Sequence, residues 1–214
     1  MSEPAHISPL PILVLVSGGG TNLQSLIDAQ TAGLLGSGKI AAVLSDRSGA
    51  YALERAKAAG IPAFVETPDP ALAKPERRRD LSDRILSHCR RMNIALIVHA
   101  GFLSIISGEI IEEYAGRMIN LHPSLLPKFG GEGMYGERVH RAVLAAGETE
   151  SGCTVHLVDS GTDTGPIILQ RKVAVLADDS PQSLADRIHK EEHIAIVDGV
   201  KLILENFSGA GNRQ

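Results

Sequence analysis

Residues 12–16 (ILVLV) and residues 17–22 (SGGGTN) decide the fold of this chain. The first stretch is a continuous apolar run rich in β-branched residues, which is typical of a strand buried on both faces. The second is a glycine-rich turn. Leu23, Leu26 and Ile27 follow it at a spacing that places them on one face of a helix. A buried strand that passes through such a turn into a helix is the first half of a βαβ unit.

The same alternation of strand and helix continues along the chain. Because strands that alternate with helices form right-handed crossovers, this order predicts a parallel sheet. The predicted elements are strands at residues 40–44, 63–65, 94–98 and 118–120, with helices at residues 51–59 and 75–92.

The C-terminal third of the chain has a different pattern. Residues 153–158 and 167–175 are strand-like, and the loop between them is too short for a helical crossover, which predicts an antiparallel edge. A final helix is predicted to begin at Ser180 and Pro181, a capping residue followed by a proline in the first turn, and to end near Leu204. We therefore expect an α/β fold: a Rossmann-like, mostly parallel twisted sheet flanked by helices, with a mixed, antiparallel C-terminal edge.

Composition narrows the class of protein. The 21 basic and 25 acidic residues give a net charge of −4, and 3% of residues are aromatic, which disfavours nucleic-acid binding. Without a signal sequence or a membrane-length apolar run, we expect a cytoplasmic protein with no membrane partner. Cys89 and Cys153 are predicted to be free thiols. A single domain is predicted over residues 1–214, with flexible tails at about residues 1–10 and 206–214.

Ligands of an open parallel sheet bind beyond the carboxyl ends of its strands. The first loop at this edge, residues 17–22, either holds a phosphate through its backbone N–H groups or is simply a tight turn. The other loops at the same edge are residues 99–103, 120–127 and 159–165.

Three polar side chains in these loops are candidates for catalysis. Asn120 and His122 are two residues apart at the end of a strand and so point the same way. Together they could polarise a carbonyl and stabilise an oxyanion. For an isolated pair of this kind, however, a capped turn with a loop histidine is the simpler interpretation. Asp163 either forms an Asx-turn or lies beside His122 and raises its pKa.

Several motifs, in a specific order, carry a resemblance to a known family. With them the chain resembles the glycinamide ribonucleotide formyltransferases, folate-dependent enzymes of purine synthesis, over nearly all of residues 12–200. The motifs are residues 17–22 (SGGGTN), 100–103 (AGFL), 120–127 (NLHPSLLP), 152–156 (GCTVH) and 163–170 (DTGPIILQ).

The resemblance implies formyl transfer from 10-formyltetrahydrofolate, as a co-substrate, to the amine of glycinamide ribonucleotide, without a metal, by a monomer or homodimer. It implies a cis peptide between Leu126 and Pro127. The implied catalytic residues are Asn120, His122 and Asp163. The residues implied for glycinamide ribonucleotide are Gly20, Thr21, Asn22, His189, Lys190, Glu191 and Glu192. The residues implied for the folate are Arg79, Leu103, Ser104, Ile105, Ile106, Asn120, Asp159, Ser160, Gly161, Thr162 and Asp163.

Two features depart from the family pattern. Residues 128–136 (KFGGEGMYG) replace a Pro-Gly-Leu-His stretch that many members carry, and Ser104 stands where an arginine is common. His156 lies within a predicted strand, and we interpret it as a satisfied core histidine or a support for a site residue rather than as a catalyst.

Three alternatives remain open at this point. The first is another user of 10-formyltetrahydrofolate, either a formyl-folate hydrolase or an enzyme with a different formyl acceptor; the additional domains of such enzymes are not expected here. The second is a nicotinamide-binding protein with Asp46 on the ribose, although Leu23 occupies the third glycine position of that fingerprint. The third is a zinc peptidase built on His189 and His193, which would need a further acidic ligand downstream.

Overall fold

A computed structural model describes the backbone of residues 9–210 and the side chains of residues 9–207. Within those residues the chain forms seven strands and six helices. In chain order they are β1 (Leu10–Val16), α1 (Thr21–Thr31), β2 (Gly38–Ser45), α2 (Tyr51–Ala58), β3 (Ala63–Val65), α3 (Lys74–Arg91), β4 (Leu96–His99), α4 (Glu109–Glu113), β5 (Met118–His122), α5 (Glu137–Ala145), β6 (Glu150–Leu157), β7 (Ile167–Ala174) and α6 (Pro181–Ala210).

All seven strands belong to one sheet in the order β3-β2-β1-β4-β5-β6-β7. Strands β1 to β5 are parallel, whereas β6 pairs with β5 and β7 in antiparallel fashion. The predicted fold class is therefore confirmed, including its antiparallel C-terminal edge. Strand β1 pairs with β2 on one side and with β4 on the other. The chain therefore proceeds in one direction across the sheet from β1 to β3 and in the other from β4 onward, and this reversal opens a crevice at the carboxyl end of β1.

Two helical layers cover the faces of the sheet, and the side chains of β1 alternate between them. Ile12, Val14 and Val16 pack in the core cluster that contains residues of α1 and α6. Leu13 and Leu15 pack on the other face, against α3. This alternation follows from the period of two residues along a strand, and it explains why the whole run is apolar.

The last helix extends further than its sequence suggested. It continues to Ala210 instead of ending near Leu204, because Phe207 packs against the core cluster on that face of the sheet. Residues 206–210 are therefore helical and Leu10 belongs to β1, although we expected these residues in flexible tails. Residues 1–8 and 211–214 of those tails lie outside the described residues.

Two further differences concern short elements. Helices α4 and α5 were not predicted: α4 is a single turn, and α5 follows the glycine-rich stretch that departs from the family pattern. Both cysteines are free and buried, and burial raises the pKa of each thiol to about 12. None of the described helices is long and apolar enough to cross a membrane.

Candidate active site

A cavity of about 640 Å³ opens at the carboxyl ends of the parallel strands, where the switch in strand order predicts a ligand site. Most of the residues that the sequence singled out contribute to its walls. The residues from the predicted sets that line it are Asn22, Leu103, Ser104, Ile105, Ile106, Asn120, His122, Asp159, Gly161, Thr162, Asp163, His189 and Glu192.

Six predicted site residues do not line this cavity: Gly20, Thr21, Arg79, Ser160, Lys190 and Glu191. Successive residues of a helix point about 100° apart. Arg79 therefore projects into solvent, while Arg77 and Arg78 line the cavity. For the same reason Glu191 faces away from Glu192 and pairs with Arg171, with 3.2 Å between their nearest nitrogen and oxygen atoms.

The first glycine-rich loop is held tightly between helices. Gly20 has a φ of 72°, and a Cβ on it would lie 2.6 Å from the Cβ of Ala52. A side chain at this position is therefore excluded on both conformational and steric grounds. Of the three residues predicted to contact glycinamide ribonucleotide from this loop, Asn22 is the one whose side chain faces the cavity.

The loops after β1 and β4 are joined by hydrogen bonds. The backbone N–H of Ser17 donates to the carbonyl of Gly101 at 3.0 Å, and the N–H of Leu103 donates to Ser17 Oγ at 2.8 Å. Ser104 Oγ donates to the buried carboxylate of Asp46 at 2.7 Å. These bonds fix the segment at residues 103–106 across the switch point. The last of them also occupies Oδ2 of Asp46, the residue that the nicotinamide alternative required.

Residues of the sequence motifs outside the catalytic set hold the loop after β5. The Leu126–Pro127 peptide in this loop is cis, as predicted. Thr154 Oγ1 donates to the carbonyl of Ser124 at 2.6 Å, and Gln170 Nε2 donates to the carbonyl of Leu126 at 2.9 Å. Strands β6 and β7 thus anchor the loop that follows β5.

One wall of the cavity is formed by Asn120, His122 and Asp163. We call these three residues, together with His156, the catalytic wall. His122 Nδ1 lies 3.4 Å from Asp163 Oδ2, and Asn120 Nδ2 lies 3.3 Å from Asp163 Oδ1. Asn120 and His122 point to the same side of β5, as their spacing predicted. The structure therefore brings Asp163 to this pair, a contact that sequence spacing could not establish.

The protonation state of His122 differs from our expectation. Burial lowers the pKa of His122, and this effect outweighs the charge of Asp163 and the hydrogen bond to the carbonyl of Phe129, which both raise it. The predicted upward shift is thus wrong in net direction, because it considered the neighbouring charge but not the loss of solvent. Since Nε2 lies 2.9 Å from the Phe129 carbonyl, a neutral His122 donates from Nε2 and keeps a lone pair on Nδ1.

Asp163 is held in a backbone conformation that few residues adopt. Its φ is 59°, in the left-handed region, where aspartate is tolerated better than most residues. Oδ2 accepts a hydrogen bond from the N–H of Gly131 at 3.0 Å. Burial raises the pKa of Asp163, but the neighbouring rings of His156 and His122 and the hydrogen bond from the N–H of Gly131 outweigh it, so the net shift is downward. The carboxylate is accordingly ionised at neutral pH.

His156 belongs to the same wall, which agrees with one of its two interpretations from sequence, the support of a site residue. It is 2% exposed and lies directly opposite Asn120 in the β5–β6 ladder. Its Nε2 is 3.1 Å from Asn120 Nδ2 and 3.6 Å from Asp163 Oδ1. An antiparallel register for the two strands would have been the signal for this contact, but sequence does not fix register.

A second polar group lies at another part of the cavity. Asn22 Nδ2 donates to Glu192 Oε2 at 3.2 Å, and His189 Nε2 lies 3.9 Å from the same oxygen. Glu192 is 5% exposed; burial raises its pKa, while His189 and Asn22 oppose the shift. No group of three histidine, cysteine or acidic residues within the described part of the chain is arranged to hold a metal ion, and His193 does not line the cavity with His189.

The mouth of the cavity carries exposed ion pairs, which we call the rim. Glu132, in the glycine-rich stretch before α5, pairs with Lys74 and with Arg78 of α3, the latter at 2.8 Å. All three side chains line the cavity opening. Sequence reasoning had singled out none of these three residues; it named Arg79, the residue that follows Arg78 in the same helix.

Comparisons with known proteins show which proteins this chain resembles. The formyl transferase family matches residues 10–200. Over 206 residues the chain is 42% identical to the trifunctional purine biosynthetic protein adenosine-3 of Drosophila melanogaster, covering 92% of this chain and 14% of that protein. It is 40% identical over 183 residues to phosphoribosylglycinamide formyltransferase of Escherichia coli (strain K12), covering 85% and 81% of the two chains. The chain therefore spans about a seventh of the length of the trifunctional relative.

Solved structures show the same fold. Glycinamide ribonucleotide transformylase 1 from Symbiobacterium toebii superposes with a TM-score of 0.82 at 37% identity. The match covers 92% of this chain and 89% of that one.

Proposed function

The chain belongs to the formyl transferase family, and on that premise we propose that it transfers the formyl group of 10-formyltetrahydrofolate to the amine of glycinamide ribonucleotide. The products are N-formylglycinamide ribonucleotide and tetrahydrofolate, in de novo purine synthesis. One observation carries this proposal. On one wall of the cavity, the carboxylate of Asp163 lies 3.3 Å from the amide nitrogen of Asn120 and 3.4 Å from the imidazole Nδ1 of His122. That is the set of groups that formyl transfer between two nitrogen atoms needs.

Each residue of the catalytic wall has a role in the proposed reaction. The substrate amine attacks the formyl carbon, and the resulting tetrahedral oxyanion accepts a hydrogen bond from the amide of Asn120. The lone pair on Nδ1 of a neutral His122 accepts the proton that the amine loses. The carboxylate of Asp163 stabilises the imidazolium and completes the path by which this proton reaches the departing folate nitrogen. One oxyanion donor is worth about 3 kcal/mol of barrier in comparable enzymes.

The two substrates are assigned to different parts of the cavity. We place the folate along residues 103–106 and 159–163, which the hydrogen bonds of Ser17 and Ser104 support. We place glycinamide ribonucleotide beside Asn22, His189 and Glu192. The carboxyl of Glu192 is buried and suits a donor group of the substrate. Arg78 replaces Arg79 as the arginine assigned to the glutamate tail of the folate.

A steady-state assay distinguishes this function from the alternatives. Purified protein is given 10-formyltetrahydrofolate with and without glycinamide ribonucleotide, and tetrahydrofolate release is followed. We expect release to require both substrates and to persist in EDTA. Release at a comparable rate without the acceptor would favour the formyl-folate hydrolase, and loss of turnover on chelation alone would favour metal chemistry.

The last part of the proposal concerns the location, assembly and partners of the protein. We propose a cytoplasmic enzyme that is a monomer or homodimer and acts on small molecules, with neither nucleic acid nor membrane as a partner. Size-exclusion chromatography with light scattering measures the assembly directly.

A further inference from the structure

The hydrogen bonds around His156 point to a role that the proposed mechanism does not yet include. We propose that His156 is a positioning residue: it fixes the side-chain amide of Asn120 in the one orientation that directs an N–H toward the reacting formyl group. The proposal rests on the function proposed above, and it concerns one buried contact at the catalytic wall.

The position of the proton on His156 follows from its backbone contact. Nδ1 lies 2.8 Å from the carbonyl oxygen of Leu157. A carbonyl oxygen can only accept a hydrogen bond, so Nδ1 carries the hydrogen. In the neutral imidazole the other nitrogen, Nε2, then has a free lone pair. The strand that carries His156 thereby determines which tautomer faces Asn120.

The lone pair on His156 in turn selects the orientation of the Asn120 amide. Asn120 Nδ2 lies 3.1 Å from His156 Nε2, and an amide nitrogen can only donate. Rotating the amide by 180° would place the carbonyl oxygen of Asn120 against the same lone pair, which is repulsive. The neutral histidine therefore stabilises one orientation of the amide over the other.

Fixing one N–H of the amide determines where the second one points. The second N–H of Asn120 is directed at Asp163 Oδ1, 3.3 Å away, which is long for a hydrogen bond. Such a weak contact is readily exchanged for a bond to a developing oxyanion beside Asp163. His156 thus occupies one donor of Asn120 and leaves the other for the reaction.

The surroundings of His156 keep this arrangement rigid. His156 and Asn120 are direct cross-strand partners, and His156 is 2% exposed. Asp163 is the acidic group beside it, with Oδ1 at 3.6 Å from Nε2. A protonated His156 would carry an N–H on Nε2, which would pair with Asp163 and turn the amide of Asn120 around. The proposal therefore requires the neutral, Nδ1-protonated form.

Three variants test the role in kinetics. His156→Leu removes the acceptor, and we expect kcat to fall about tenfold to a hundredfold with the KM of both substrates nearly unchanged. His156→Gln places an oxygen acceptor near the position of Nε2 and should recover most of that loss. Val155→Ala, a truncation of a core neighbour on the same strand, is the matched control; it should lower thermal stability and leave kcat within about twofold.

A double variant separates positioning from a general structural effect. In an Asn120→Ala background, His156→Leu should lower kcat by less than about twofold further, because the group it positions is already absent. Equal losses in the leucine and glutamine variants, or the full additional loss in the Asn120→Ala background, would overturn the proposal.

The tautomer can be measured without any substitution and without the substrates. Long-range ¹H–¹⁵N correlation spectra of the wild-type protein at neutral pH should show His156 with the hydrogen on Nδ1 and a free lone pair on Nε2. A hydrogen on Nε2 would contradict the proposal even if every variant misfolded. This readout also stays valid if the enzyme proves to use a different formyl acceptor, so failure of the proposed function is distinguishable from failure of this inference.

Discussion

The catalytic wall and the rim of the cavity hold their polar side chains in different ways. On the wall, the side chains of His122 and His156 are 4% and 2% exposed, and each of their ring nitrogens faces a specific partner. At the rim, the side chains of Lys74 and Glu132 are 61% and 54% exposed and meet as an ion pair in water. Both regions line one cavity, and the difference between them reflects what each has to do.

Buried hydrogen bonds between neighbouring strands suit catalysis, which needs fixed positions of the reacting groups. Solvated ion pairs suit the binding of charged substrates, because their partners can change. A buried hydrogen bond at fixed register tolerates little displacement, so the groups around a reacting atom stay in place. An exposed ion pair contributes little to stability and can exchange partners. We therefore expect substitutions on the wall to change kcat and substitutions at the rim to change KM.

The largest expected effect comes from Asp163→Asn. This substitution keeps the size of the side chain and removes its charge, so it disables the stabilisation of the His122 imidazolium. We expect kcat to fall at least about a hundredfold with little change in KM, since the interaction matters mainly in the transition state. Steady-state kinetics with each substrate varied in turn measures both parameters.

A titration of the same variant shows whether the charge acts through His122. Asp163 raises the pKa of His122 against the dominant effect of burial, so the pKa should fall further in Asp163→Asn. NMR titration of the ring protons follows it. Near-normal kcat, or an unchanged His122 pKa, would leave Asp163 as a turn-forming residue.

His99, which is buried on β4 next to β5, should reduce the free energy of unfolding at acidic pH. Burial lowers the pKa of His99 from 6.5 to about 3. Between these two pH values the unfolded chain binds one more proton than the folded chain does. Stability is therefore fully present above about pH 6.5 and is lost as the pH falls, at about 1.4 kcal/mol per pH unit for this residue.

Denaturant unfolding at a series of pH values from about 4.5 to 6 tests this expectation. His99→Asn should reduce the slope of stability against pH by about that amount. Phe102→Leu, which alters the ring that packs edge-on against His99, is the control and should change stability without changing the slope. An identical slope in the wild type and in His99→Asn would show that His99 is not the group responsible.

The smallest expected effect lies at the rim. Glu132 is a carboxylate that pairs with Lys74 and Arg78, so it competes with the carboxylates on the glutamate tail of the proposed folate. In Glu132→Gln we expect the KM for 10-formyltetrahydrofolate to fall about twofold to fivefold with kcat unchanged, an effect that added salt should weaken. A change in kcat instead would mean that the rim and the wall are not separate in function.

Sequence reasoning recovered the parts of the fold that depend on local patterns. The apolar run of β1, the alternation of strands and helices, and the short loop before β7 were sufficient for the sheet and its antiparallel edge. The end of α6 was misjudged because Phe207 packs through a tertiary contact, whereas the composition around it is that of a polar tail.

Sequence motifs singled out part of the candidate site, whereas features that depend on strand register or on solvent could not be read from them. Asn120, His122 and Asp163 follow from the motifs. His156 depends on which residue of β6 lies opposite Asn120, and no local pattern specifies that pairing. The direction of the His122 pKa shift depends on how much water the folded chain excludes. Arg79 was singled out by the resemblance alone, whereas the side chain that lines the cavity one position earlier in the same helix is that of Arg78.

A double-variant cycle on the catalytic wall tests the proposed catalytic mechanism most directly. We propose that His122 and Asp163 act as one unit in formyl transfer, so kcat is measured for His122→Ala, for Asp163→Asn and for the two combined, under saturating substrates. We expect kcat of each single variant to fall at least about a hundredfold and kcat of the double variant to lie within about threefold of the worse single one. If the two losses multiply in the double variant, the proposal of a single unit is contradicted, because the two residues would then contribute independently.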